Sequence, residues 1–372
     1  MNKERRQKLI NSLLVPFLAI LSGLLVAALL ILFGHKPPLE AYQILFSSGF
    51  GCSQIDRCAL FTTFQFATPL ILTGLSAVVA FRSGMFSIGQ EGQFIMGAAA
   101  AAWLGYAVHL PPFIHALFII LVGMLGGAIY GWIPGFLKVR LGVNEIISTI
   151  VMNNIAILSM EYLVNYPLRA PQSQTPYSPI IDGTAWLATF VPGSKWGVGF
   201  ILAIAAAVGV YFLLWRSAPG YEIRMAGQAP WFSKYGGIKN ENVAMRSMFI
   251  SGAIAGLAGV IEVLGVHHRV MSGFSSGMGF DGLSVAILGQ VHPVGVVIVG
   301  ILFAGVRLGA QLGLQISMDI PRELGGGIIA LMILFVAAGS FYQENITAVQ
   351  KLIQRIRQRI HLRTDKPTGG RL

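Results

Sequence analysis

The sequence predicts an all-α, polytopic membrane protein of about ten transmembrane helices, with N- and C-termini on the cytoplasmic side. Three observations predict it. Of the 372 residues, 55% are hydrophobic and only 11% charged, where soluble domains carry about a quarter charged residues. Apolar runs of roughly 18 residues or more, enough to cross ~30 Å of hydrocarbon as a helix, recur from Ser12 almost to the end. Lys and Arg are unevenly spread: with MNKERRQK as a cytoplasmic anchor, about 19 of the 26 fall on its side of the membrane, about six on the other, and Arg307 within a span. That is the positive-inside bias, and it accounts for the net charge of +11 without nucleic acid.

Residues 1–11 form the N-terminal anchor, 12–341 the transmembrane domain and 342–372 a basic cytoplasmic tail. The first run, about 12 to 33, shows no small-residue cleavage pattern and is expected to be a retained helix. PPLEAYQILF then lies on the membrane surface. Cys52 and Cys58 share one outer loop, where an oxidising compartment favours a disulfide over two free thiols. Spans follow at about 60–81, 88–108, 113–137, 146–166, 197–215 and 247–266. The run after GMGFDG reaches only about Gly289, which predicts a short, broken or tilted helix. Runs at about 294–313 and 324–341 complete the set. The tail QKLIQRIRQRIHLR has the apolar spacing of an interfacial helix on an anionic leaflet. Gly123, Gly127, Gly131 and Gly135, like Gly305, Gly309 and Gly313, recur every fourth residue as packing seams. No strong internal repeat is visible, although an inverted one would suit a transporter.

The chain has no phosphate-binding G-x-x-x-x-G-K-[ST] loop, no H-E-x-x-H, no C-x-x-C and no nucleophile elbow. Any nucleotide that drives it binds elsewhere. Polar groups in or beside apolar runs are the positive signal, because a charge near the bilayer centre costs about 2.5–3.5 kcal/mol and normally faces protein or a wet cavity. They are Gln90, Glu91 and Gln93; Asn144 and Glu145; Asn153 and Asn154; Glu262; and Asp281, whose apolar neighbour Phe280 is also expected on the substrate path. Glu91 and Glu145, near the cytoplasmic ends of their segments, either cap helices or border a solute path. Asn153 and Asn154 point in adjacent directions, so at least one faces the bundle, and amides suit a neutral polar solute. Arg307 either pairs with Glu262 or snorkels. In the loop 216–246, APGYEIRMAGQAPWFSKYGGI reads as a short helix, a Gly-containing turn and a second short helix. Its aromatic and Arg content fits a docking surface.

The blocks PLILTGLSAVVAFRSGMFSIGQEGQFIMGA, GVNEIISTIVMNNIA, GYEIRMAGQAPWFSKYGGI, SGAIAGLAGVIEVLG and GMGFDGLSVAILGQVHPVGVVIVGILFAG resemble the permease subunits of bacterial ATP-binding-cassette importers. The likeness is to the nucleoside and simple-sugar branch of the branched-chain amino acid and ribose permease family, over about residues 12–341. It implies a permease in the bacterial cytoplasmic membrane that binds no cofactor itself. Its partners would be a second permease subunit, in a homo- or heterodimer, a cytoplasmic ATPase holding ATP and Mg, and an extracytoplasmic solute-binding lipoprotein. It further implies that Gly220, Tyr221, Glu222, Arg224, Gly227, Gln228 and Pro230 couple to that ATPase. The family's N-I-G-x-E-G-Q stands here as Ser87 to Gln93, with Ser for the first Asn. N-E-x-x-x-T-x-x-x-N is intact at Asn144, Glu145, Thr149 and Asn153. Two other readings compete. A stand-alone proton-coupled transporter would use Glu91 or Glu262; an enzyme or scaffold would have only His267 and His268 as an adjacent pair.

Overall fold

The computed structural model describes residues 35–52, 58–171, 174–191 and 193–318, with isolated positions in 25–32 and 326–331. The expected spans at 12–33 and 324–341, apart from those positions, and the basic tail lie outside the described residues. Residues 42–319 form one compact unit, and among the described residues its long elements are all helices: α1 (Pro38–Phe50, entering the unit at Tyr42), α2 (Ala59–Arg82), α3 (Gln90–Ala107), α4 (Ile114–Leu141), α5 (Glu145–Asn165), α6 (Val198–Arg216), α7 (Ala218–Gln228), α8 (Pro230–Tyr235), α9 (Asn240–Ile261), α10 (Met278–Leu288) and α11 (Pro293–Leu308). Helix α9 runs on as a π-turn over Glu262–His267, and α11 as one over Gly309–Leu314. Among the described residues six helices are long and apolar enough to cross a membrane: α2, α4, α5, α6, and α9 and α11 with their extensions.

Local chemistry sets the boundaries. Helix α4 stops at Gly142, whose φ of +67° suits a residue without Cβ. Its amide bonds to the Lys138 carbonyl and that of Val143 to Leu137, closing the last turn. Two residues after Gly142, Asn144 caps α5 by accepting from the Ile146 amide at 2.9 Å. The Lys138 ammonium meets the Glu145 carboxylate at 2.7 Å and ties the two helix ends together.

Small residues set the packing. Gly123, Gly127 and Gly131 of α4 face Gly252 and Gly256 of α9 so closely that a Cβ on Gly127 would come within 2.7 Å of the Gly256 Cα. The Gly305, Gly309 and Gly313 stripe receives residues 44–50 of α1. The segment expected on the membrane surface thus has one face on the bundle: Leu45 is buried while Leu39 and Phe46 are exposed, and just beyond it the Gly49 carbonyl accepts from the Thr63 hydroxyl.

The third apolar run also departs from expectation. It is not a full span starting at one face, because residues 85–89 carry the chain inward without helix and α3, 18 residues long, begins about 10 Å inside the bundle. Gln93 lies against Gly131, ten residues before the end of α4, or about 15 Å up the helix. Helix α10 mirrors it from the opposite end. Residues 268–277 descend without helix, held by Ser178, whose hydroxyl accepts from the Val270 amide at 3.0 Å. The Met278 carbonyl then accepts from Thr73, nine residues or about 14 Å from the end of α2. Two helices thus begin inside the bundle at about the same depth, entered from opposite sides; they are half-helices in that interrupted start, although α3 has 18 residues and only α10, with 11, is short.

Candidate functional site

The half-helices meet at Glu91. One carboxylate oxygen accepts from the Gly279 amide at 2.7 Å and the other from the Ser275 hydroxyl. The carboxylate therefore sits on the N-terminus of α10, where the helix dipole favours an anion. Gly279 presses its backbone on Glu91, and Gly282 presses on Thr73 and Gly74; side chains there would hold the two starts apart. Glu91 is 3% exposed and is the second residue of its helix, near the end of its segment as the sequence suggested, but that end lies inside the bundle. The 87–93 motif was legible, but its depth is set by α4 and α5, which are remote in sequence.

Helix α5 anchors the inner approach. The Asn153 amide donates to the Ile88 carbonyl and accepts from the Gly92 amide, both at 2.8 Å, while the Thr149 hydroxyl accepts from the Ile88 amide. Both functional groups of Asn153 are thus engaged in holding the start of α3. Asn153→Leu is expected to strand two buried backbone groups and cost about 2–4 kcal/mol. A lower thermal midpoint of the purified chain checks this, and an unchanged one would refute it.

Gln90 is fully buried and its amide bonds to no described residue. The Gln93 oxygen lies 3.4 Å from the Ser76 hydroxyl, which pairs with Ser251. Asn154 is exposed and donates to its own helix at Ile150; Asn144 is exposed at the end of α5. Phe280 is 43% exposed. Asp281 pairs with Arg307, replacing the expected partner Glu262, which instead lies 3.5 Å from His267. The structure brings Gln90, Glu91, Gln93, Asn153 and Asp281 to one level and leaves Asn144 at a helix end. Cys52 and Cys58 are joined.

Sequence reasoning missed Ser275, Gly279 and Glu161. The Ser- and Gly-rich run between two apolar segments was the available signal for the first two. Glu161 Oε1 accepts from the Ser272 hydroxyl and the Gly273 amide, both at 2.9 Å.

The second cluster lies at the end of the bundle where Arg82, Lys138, Arg140 and Arg216 gather. Ser217 caps α7, accepting from the Gly220 amide. Helices α7 and α8 are separated at Ala229–Pro230, not by a glycine turn as expected; Gly236 and Gly237 follow the second helix. Gly220 packs on the Leu213 and Leu214 backbone, and Gly227 on Arg82 and Gly84. The guanidinium groups of Arg82 and Arg224 lie 5.3 and 5.9 Å from the Trp215 ring, and Arg82 donates to the Val291 carbonyl at 2.9 Å. Outward, Tyr221, Trp231, Phe232 and Tyr235 are 52–90% exposed, with Gln228 and Pro230 also exposed and Glu222 partly so. Helix α7 therefore touches the end of α2, which leads into α3, and through Arg82 the segment that leaves α10.

The chain matches the family described as branched-chain amino acid transport system / permease component over residues 59–337. It is similar to the guanosine ABC transporter permease protein NupP of Bacillus subtilis (strain 168), 37% identical over 336 residues, which covers 89% of this chain and 94% of NupP. It is also similar to the nucleoside ABC transporter permease protein NupB of Lactococcus lactis subsp. cremoris (strain MG1363), 32% identical over 91% of this chain and 92% of NupB. A glucose ABC transporter permease protein of Haloferax volcanii, TsgB13, is 28% identical over 88% of each. No solved structure matches. With a family match over well over half its length and two relatives above 30% identity along nearly all of it, the chain belongs to the branched-chain amino acid transport system permease family.

Proposed function

We propose that this chain is the membrane-spanning subunit of an ATP-driven importer and carries a nucleoside or simple sugar by alternating access. One observation carries the proposal. An exposed aromatic hairpin, α7–α8, is packed at its base on the chain leading into α3 and, through Arg82, is linked to the segment that leaves α10. Discontinuous helices with N-termini at the bilayer midplane are a recurring device for solute sites. The names of the relatives supply the solute class. The end bearing α7–α8 is cytoplasmic by its Lys and Arg content. Both termini lie on that side and the full chain makes about ten crossings of a bacterial cytoplasmic membrane. A separate ATPase docks on the aromatic hairpin and holds ATP and Mg. A second permease subunit and an extracytoplasmic solute-binding lipoprotein complete the complex.

Vesicles carrying the whole complex provide the test. Vanadate, which traps ATPases, is expected to abolish uptake, while a protonophore leaves it largely intact. Uptake that survives vanadate but collapses with the protonophore would replace this proposal with a stand-alone proton-coupled carrier.

A further inference from the structure

A cavity of about 220 Å³ lies between the start of α3, the last turns of α5 and the chain at 273–277. It has room for several waters, the scale of a small polar solute. Ile95, Ile157 and Met160 give it apolar walls; Glu91 and Glu161 are its acidic groups, and no basic residue lines it. Both oxygens of Glu91 are engaged by Ser275 and Gly279. Glu161 differs: Oε1 accepts from Ser272 and Gly273, and among the described residues nothing bonds to Oε2.

An ionised carboxylate only accepts hydrogen bonds. It selects hydroxyl and N–H donors; no basic residue lines the cavity, and Arg307, which reaches the Ser276 carbonyl behind it, is already neutralised by Asp281, so a carboxylate or phosphate is repelled. That disfavours an amino acid or a phosphorylated sugar. Apolar walls beside a line of acceptors suit the C–H face and hydroxyl edge of a sugar. We propose that this cavity is a transit site for a neutral, hydroxyl-bearing solute, with Glu161 Oε2 accepting from a vicinal diol. The proposal rests on the importer function above and narrows it: the permease itself, beyond any binding protein, reads the sugar hydroxyls.

The experiment compares uptake of a ribonucleoside and its 2′,3′-dideoxy counterpart by the reconstituted complex, in wild type, Glu161→Gln and Glu161→Leu. If free sugars prove to be the cargo, ribose and 2-deoxyribose serve instead. The same binding protein is used throughout, so its own preference cancels. A site built to bond a hydroxyl discriminates against the analogue lacking it. Glu161→Leu is expected to lose about tenfold in ribonucleoside uptake with little change for the dideoxy compound, and Glu161→Gln to fall between. Glu161→Gln keeps an acceptor for Ser272, so the comparison stands even where the leucine variant fails to assemble. An unchanged preference in Glu161→Gln, with wild-type uptake normal, would overturn this proposal alone. Wild type that takes up neither nucleoside nor sugar would overturn the importer function, and this proposal with it.

Discussion

Glu91→Leu is expected to reduce uptake by the complete complex more than a hundredfold and to destabilise the chain by roughly 2–6 kcal/mol, the cost of leaving two buried donors unsatisfied. The physical reason is the pair of donors left behind. The Gly279 amide is the first free N–H group of α10 and the Ser275 hydroxyl lies just before it, and both point at a carboxylate that is 3% exposed. Leucine removes both acceptors and leaves each donor without a partner away from water, at about 1–3 kcal/mol each. It also removes the negative charge that the start of α10 favours. Glu91→Gln separates the two effects. Its amide oxygen satisfies one donor, but its NH2 then faces the other, so an intermediate loss of about tenfold is expected, with a smaller fall in the thermal midpoint. Aspartate would not rescue, because a side chain one methylene shorter cannot span both contacts. Uptake and thermal midpoints equal to wild type in the leucine variant would mean that the contact between the half-helices is dispensable.

The helical fold was legible because hydrocarbon imposes its own code: apolar runs of fixed length, small residues at every fourth position, and basic residues biased to one side. The Gly123–Gly131 stripe announced a close helix partner, and α9 supplies it through Gly252 and Gly256. The shortness of α10 was visible in its eleven residues. The depth of α3 was not visible. The apolar run after Ser87 looks the same whether it begins at a membrane face or about 10 Å inside, and only Asn153 and Gly131, sixty and thirty-eight residues after Gln93, fix it. Arg307 shows the same limit. Its charge demanded a partner, but composition could not choose between Glu262 and Asp281, and the choice falls to α10, which carries Asp281 to it. Glu161 was passed over because an acid beside Tyr162 near a helix end looks like an ordinary interfacial residue until residues 272–273 fold down on it.

Gly227→Val is expected to uncouple the transporter: ATP hydrolysis continues but loses its stimulation by loaded binding protein, and uptake falls at least tenfold. Gly227 has no room for a side chain, since a Cβ would sit 2.8 Å from the Gly84 nitrogen and 3.0 Å from the Arg82 carbonyl carbon. Both obstacles are backbone, so no rotamer of Arg82 relieves them, and α7 must shift away from the end of α2. That shift matters because the Arg82 peptide is a junction. Downstream, Gly84, at φ +82°, turns the chain into the non-helical approach to Glu91. Sideways, the Arg82 guanidinium rests over Trp215 and holds the Val291 carbonyl at the exit of α10. We propose that a push on α7 reaches both half-helices through this one residue, and that a gap at Gly227 would absorb it. Arg224→Ala, which removes the second guanidinium over Trp215, is expected to act in the same direction but more weakly, because the backbone contact at Gly227 survives. The exposed face of α7–α8 is untouched in both variants, so the ATPase should still copurify in stoichiometric amounts. Loss of the ATPase from purified Gly227→Val would assign this glycine to docking, and ATP-driven uptake at the wild-type rate would remove it from the coupling path.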